Sequence, residues 1–199
     1  SIITTTKDKK MAIIRTYRLD EKNELQFREA WYQQFDEEEL GQFVINHGTV
    51  GHMSKTSDVQ DVKVERADEL FAGFLAACEE DGYAQIPAEQ QSWVIVQYAL
   101  KTKDGTERDR YMEKKAKEAL TGHLAWRGLG TVESSDFAPN KLNIRILSPA
   151  PKLAVASVKV CVRDAKLDTT KMSVGIAPYD NIEAVKMAHP MPAKPFSLS

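Results

Sequence analysis

The sequence predicts an α+β fold in two domains: an antiparallel, β-rich N-terminal domain closed by one helix, then a C-terminal domain of order βαββαβ. Three observations carry this expectation. Segments rich in β-branched and aromatic residues alternate with segments whose apolar positions recur at helical spacing. A short polar stretch without pattern, residues 87–91, separates the two series. The length of 199 residues, with 42% apolar and 28% charged content, suits two ordinary compact domains, each able to bury a core.

In the first domain, residues 11–18 and 25–34 read as strands, and Asp20, Glu21, Lys22 and Asn23 between them read as a turn, which makes a hairpin. Residues 41–45 form a third strand leading into a turn at His47, Gly48, Thr49, Val50 and Gly51. Residues 59–64 alternate imperfectly as a fourth strand. The period then changes. Leu70, Phe71, Phe74, Leu75 and Cys78 share one helical face over residues 66–81, and Gly82 sits where a C-terminal stop belongs.

Beyond the linker, residues 92–101 read as a strand through Trp93, Val94, Ile95, Val96 and Tyr98, and Lys103, Asp104 and Gly105 turn the chain. Residues 109–126 follow as a helix with apolar steps at Tyr111, Met112, Ala116, Ala119, Leu120 and Leu124. Residues 129–133 and 142–147 read as strands joined by a loop over 134–140. Residues 152–166 fit both periods, since Ala156, Val158, Val160 and Val162 alternate while Ala154, Val158, Cys161, Val162 and Ala165 form a stripe. Topology favours the helix, because a crossover between parallel neighbours at 142–147 and 172–176 is usually helical. Residues 183–188 add an edge strand, and the proline-containing tail from residue 190 is expected to lie extended on the surface. The order that results, spanning 92–189, is the split βαβ or ferredoxin-like arrangement.

Residues 25–83 resemble a divergent WGR domain, a small β-rich module with one helix that occurs in DNA-break-sensing poly(ADP-ribose) polymerases and in many bacterial proteins. The resemblance rests on the aromatic strand from Phe27 to Tyr32, the turn from His47 to Gly51, and the helix ending in Asp81, Gly82 and Tyr83. The Trp and Arg that name the family stand here as His47 and Thr49. In the polymerases those two residues help engage a DNA end, as a stacking surface and a phosphate-pairing cation, so the resemblance implies nucleic-acid binding as one function to weigh.

No apolar run approaches the length of about 20 residues that spans a bilayer, and the polar start lacks an apolar leader core, so a cytoplasmic, non-membrane protein is expected. Residues 1–10 read as a disordered lead or a remnant of expression. Cys78 and Cys161 stand in apolar stretches of different domains without C-x-x-C spacing, which predicts buried free thiols. Charge is divided. Residues 1–86 carry 10 Lys+Arg against 17 Asp+Glu, a balance of −7, whereas residues 87–199 carry 17 against 12, a balance of +5. An acidic half repels phosphate backbones and steers basic proteins, unless its charges serve only to keep the surface solvated.

Asp36, Glu37, Glu38 and Glu39 form the densest charge cluster; four adjacent acids in a loop are solvated, so they read as a face for a basic partner and not as acid–base catalysts. Among the histidines, His47 and His52 could share a loop near Asp58 or Asp61, yet their spacing matches no metal site, and His123 beside Leu120 and Leu124 reads as a partly buried structural histidine. Gly128 and Gly130 run from helix to strand, the wrong order for a phosphate loop, and no G-x-S-x-G or H-E-x-x-H motif occurs.

The expectation is therefore a non-enzymatic protein-binding protein with no cofactor and no metal. Its concrete form is a bacterial immunity or antitoxin-like protein that neutralises a basic toxin by direct contact, with Asp36, Glu37, Glu38, Glu39, His47 and Thr49 as partner-binding residues. A nucleic-acid-binding accessory factor is the alternative, supported by the +5 half with Trp93 and Tyr98 on its first strand. Those two residues differ by an odd number of positions and so face opposite ways.

Overall fold

A computed structural model describes residues 3–6, 9–35 and 39–199. It is α+β, with three helices and two antiparallel sheets, and it divides into two compact units at Ile86 and Pro87. No helix among the described residues is long and apolar enough to cross a membrane.

The first unit is a meander of four long strands, β2 (Lys9–Leu19), β3 (Leu25–Gln34), β4 (Leu40–Thr49) and β5 (Lys55–Lys63), with the short β1 (Thr4–Thr6) on its outer edge. Residues 1–10 were expected to be a disordered lead or a remnant of expression; among the described ones, Thr4–Thr6 pair with Lys9–Met11. The first turn is built by Asp20, whose carboxylate accepts the amides of Lys22 and Glu24 at 2.9 Å each, while Asn23 takes a left-handed φ of 62°.

Helix α1 (Val64–Glu80) packs Ala67, Phe71, Phe74 and Cys78 onto Ala30, Tyr32 and Phe43 of the sheet, and Phe43 meets Phe71 edge to face at 4.9 Å. Gly82 ends the helix at φ +79°, with the Tyr83 amide reaching back to the Cys78 carbonyl at 2.8 Å. The opposite face of the sheet carries a polar chain. Arg15 donates from Nε to Glu29 at 2.6 Å, Asn46 donates to the other Glu29 oxygen at 3.4 Å, and Thr56 donates to Asn46 at 2.9 Å.

The expected turn at His47, Gly48 and Thr49 is a correction: these residues are the last rungs of β4, paired with Arg28, Phe27 and Gln26, and the chain turns only at Val50 and Gly51. Turn-forming residue types misled because Gly48 does not turn the chain. A Cβ on Gly48 would stand 3.3 Å from the Phe27 ring and 3.2 Å from the Ser54 Cα, so the glycine makes room for a buried aromatic.

In the second unit the strand order is β10-β9-β6-β8-β7, antiparallel throughout, with β6 (Ser92–Ala99) central, β7 (Thr131–Ala138), β8 (Lys141–Ser148), β9 (Met172–Pro178) and β10 (Lys186–His189). Helices α2 (Glu107–Ala125) and α3 (Pro151–Asp164) pack against each other over Val94, Val96, Tyr98, Leu142, Ile144 and Ile146. His123 on α2 and Ser157 on α3 join them at 2.7 Å. The helix favoured for residues 152–166 is α3. The strands it connects are parallel but are not neighbours, since β6 lies between them.

Three further details differ from expectation. The predicted linker contains a 3-10 turn at Ala88–Gln90. The loop expected over 134–140 is mostly strand: β7 runs to Ala138, and only Pro139 and Asn140 turn, Asn140 at φ 60°. As an edge strand with a bulge between Val132 and Ser134, β7 tolerates Ser134, Ser135 and Asp136, which hid it from a hydrophobic-pattern reading. The tail from Pro190 has no regular structure but is not simply superficial. Leu198 is buried with Ile95, Ala177 and Val185, Phe196 packs beside them, and Asn143 donates to the Leu198 carbonyl at 2.8 Å.

Candidate functional site

A groove of about 750 Å³ lies in the first unit between α1 and the ends of β3 and β4. Its lining is apolar at Phe43 and Ile45 of the sheet and at Leu70 and Phe74 of α1, and charged at Arg28, Asp58, Arg66 and Glu69. Register explains the assembly. Arg28 and His47 are direct cross-strand partners on the helix-facing side of the sheet, so α1 roofs both.

Arg28 is held from two sides. Its guanidinium lies 4.2 Å from the centroid of the Tyr83 ring and pairs with the Asp81 carboxylate at 2.7 Å. Partial burial pulls its pKa down, but the hydrogen bond to Asp81 and the neighbouring negative groups outweigh that and leave it raised, so it stays charged at any working pH. Arg18 also lies over the Tyr83 ring, at 4.8 Å, and donates to the Asp81 carbonyl at 2.8 Å. The Asp81, Gly82, Tyr83 turn therefore clamps the cations of β2 and β3 beside the groove.

Gly73 sits on α1 at the groove. A Cβ there would meet nothing within 4 Å, so no packing within the chain requires glycine. An interior helical glycine costs about 0.5–1 kcal/mol relative to alanine, and here that cost leaves the groove unobstructed. Gly122 on α2 shows the same open space away from any described cavity, so openness alone is not a mark of function.

The partner-binding residues read from the sequence separate in the structure. Asp36, Glu37 and Glu38 lie outside the described residues. Glu39 is exposed at the start of β4 and pairs with Lys63 at 3.6 Å. His47 lines the groove near the other end of the same strand, about 27 Å away at roughly 3.4 Å per residue. Thr49 donates to Gln26 at 2.9 Å, and Gln26 in turn donates to Asp20 at 3.0 Å, so Thr49 fixes a groove-lining side chain and is not itself in the lining. His47 is thus grouped with Arg28 and Tyr83, and not with the acidic cluster.

Sequence reasoning missed Arg28, Arg66 and Gly73. A pairing register would have exposed Arg28 as the neighbour of His47, but single-sequence patterns do not fix register. His52 stands in the turn after β4, and among the described residues no three His, Cys, Asp or Glu side chains gather as a metal ion would require. Cys78 and Cys161 are both buried and free, Cys78 accepting a hydrogen bond from Thr16 at 3.3 Å, while burial first of all raises the Cys161 thiol to about 11. No family model, curated protein or solved structure matches the chain.

Proposed function

We propose that this is a non-catalytic binding protein that seats an apolar side chain of a protein partner in the groove of its first unit. The observation that carries the reading is the groove itself: a lining that combines apolar side chains with charges of both signs, and a helix that holds glycine where alanine would be more stable. Protein interfaces concentrate affinity in such anchor pockets surrounded by polar rims. The balance of −7 over residues 1–86 favours a basic partner, and Asp58 and Glu69 place carboxylates in the groove's lining. A basic toxin neutralised by direct contact, the immunity or antitoxin-like role, is the concrete form of this proposal, with Asp36, Glu37, Glu38 and Glu39 offering a second contact beyond the groove.

The finer fold assignment belongs to the same proposal. The five-stranded meander with one helix supports the WGR-like reading of the first unit. The order β9-β6-β8-β7 with paired helices supports the ferredoxin-like reading of the second.

The experiment is affinity capture from nuclease-treated lysate of the native host, with wild type, Gly73→Gln and Gly122→Gln compared. A stoichiometric protein recovered by wild type and Gly122→Gln, and reduced about tenfold by Gly73→Gln, is the expected result. Equal recovery by all three refutes the groove. Recovery of nucleic acid in an untreated lysate, lost as salt rises, would transfer the function to the nucleic-acid alternative.

A further inference from the structure

A second cavity, of about 580 Å³, opens in the second unit where the end of β6 meets the start of α2 and the segment after α3. Five cations line it: Lys101, Arg108, Lys115, Lys166 and Lys171. Two carboxylates also line it, and both are engaged locally. Asp109 accepts the Thr106 amide at 2.8 Å in the capping box of α2, and Asp168 accepts the amide and hydroxyl of Thr170 at 2.8 and 2.7 Å. None of the five cations forms an ion pair within 4.0 Å among the described residues, although Lys115 lies over the Tyr111 ring at 5.4 Å and the charge of Lys171 acts on Asp168. The start of α2 is closed by its own cap, so the cavity's positive field comes from side chains.

Two further observations point to a ligand. Tyr98 lines this cavity and is only 1% exposed, yet its buried hydroxyl has no hydrogen-bond partner. Such an orphaned donor is costly in a core and calls for an explanation. Burial raises its pKa to about 12, so it remains a protonated donor. Lys166 follows α3 at φ +58°, a left-handed conformation that glycine adopts freely and lysine does not. A charged side chain is therefore kept at the cavity where glycine would relieve the backbone.

We infer that this basin binds a small molecule carrying a multiply charged phosphate group, held by these cations and the Tyr98 hydroxyl. The volume falls within the usual range for small-ligand pockets, and a cluster of cations without carboxylate ion pairs favours a polyanion. This site lies in the other unit from the proposed groove, so either can fail without the other.

The test is calorimetric titration of the full chain with inorganic pyrophosphate at low ionic strength, with wild type, Lys166→Gly and Tyr98→Phe. Wild type should bind saturably, and both variants should keep or raise the melting temperature while losing about fivefold to tenfold in affinity. A structural role alone would not produce that opposition, because it would lower both stability and binding. Absence of saturable binding at roughly millimolar pyrophosphate, or unchanged affinity in both variants, overturns the assignment. A parallel titration with a single-stranded oligonucleotide distinguishes the source of the phosphate: tighter binding that grows with oligonucleotide length overturns the small-ligand assignment.

Discussion

The two cavities are built by opposite means. In the first unit the groove depends on a missing side chain, with Gly73 leaving α1 bare where it lines the groove opposite Phe43. In the second, the basin depends on a side chain retained against backbone preference, with Lys166 at φ +58°. Each position gives up local stability, the first in helix propensity and the second in left-handed strain, and each lies at the edge of an open volume. The supporting sheets differ too. The first carries a polar chain of Arg15, Glu29, Asn46 and Thr56 on the face away from its helix, with Glu29 and Asn46 buried, whereas the second covers part of its corresponding face with the apolar Phe196 and Leu198 of its own tail. Local stability is surrendered beside both cavities, as it also is at Gly122 away from them.

Breaking the frameworks should have the largest effects. At Gly130, φ is +121° and a Cβ would stand 2.0 Å from the Leu147 carbonyl oxygen, so Gly130→Ala should destabilise the second unit by about 4 kcal/mol or more, read by urea denaturation. In the first unit, Glu29→Ala leaves the Arg15 guanidinium, whose side chain is 13% exposed, without its 2.6 Å partner. A loss of about 1–3 kcal/mol is expected, and Glu29→Ala combined with Arg15→Met should recover part of it.

Smaller changes sharpen the comparison. Gly73→Ala and Gly122→Ala should each stabilise their helix by about 0.5–1 kcal/mol in thermal melts, with only the first weakening partner binding. The weakest effect is on pH dependence. Burial, and next the charge of Arg127, lower the pKa of His123 from 6.5, with Asp164 opposing. The unfolded chain then takes up the proton first, so stability present above pH 6.5 falls as pH drops through that value toward the folded pKa. His123→Gln should flatten that decline in melting temperature and leave the part due to His189, which burial and Lys159 lower in the same sense.

What could be read from the sequence follows from what each element needs. Helix α1 was legible because Phe71, Phe74 and Cys78 repeat at helical spacing and Gly82 stops it. The hairpin of β2 and β3 was legible because Asp20 and Asn23 are turn residues placed between apolar runs. The start of α2 was missed by two residues although Thr106 and Asp109 spell out a capping box, a signal present in the sequence and overlooked.

Other features had no local signal. The polar edge strand β7 lacks hydrophobic alternation, and the burial of Leu198 depends on strands far from it in the chain. The candidate site was the least legible part. His47 was identified, but Arg28, Gly73 and Tyr83 join it only through strand register and helix placement, and Tyr83 entered the reading only within the motif that closes α1.

The central claim, that the groove of the first unit is the partner site, is tested most directly by hydrogen–deuterium exchange of the protein with and without its captured partner. The account predicts new protection along the groove-lining part of α1 from Arg66 to Ala77 and at the end of β4 around His47. Protection confined to the second unit, with α1 exchanging as in the free protein, would contradict it.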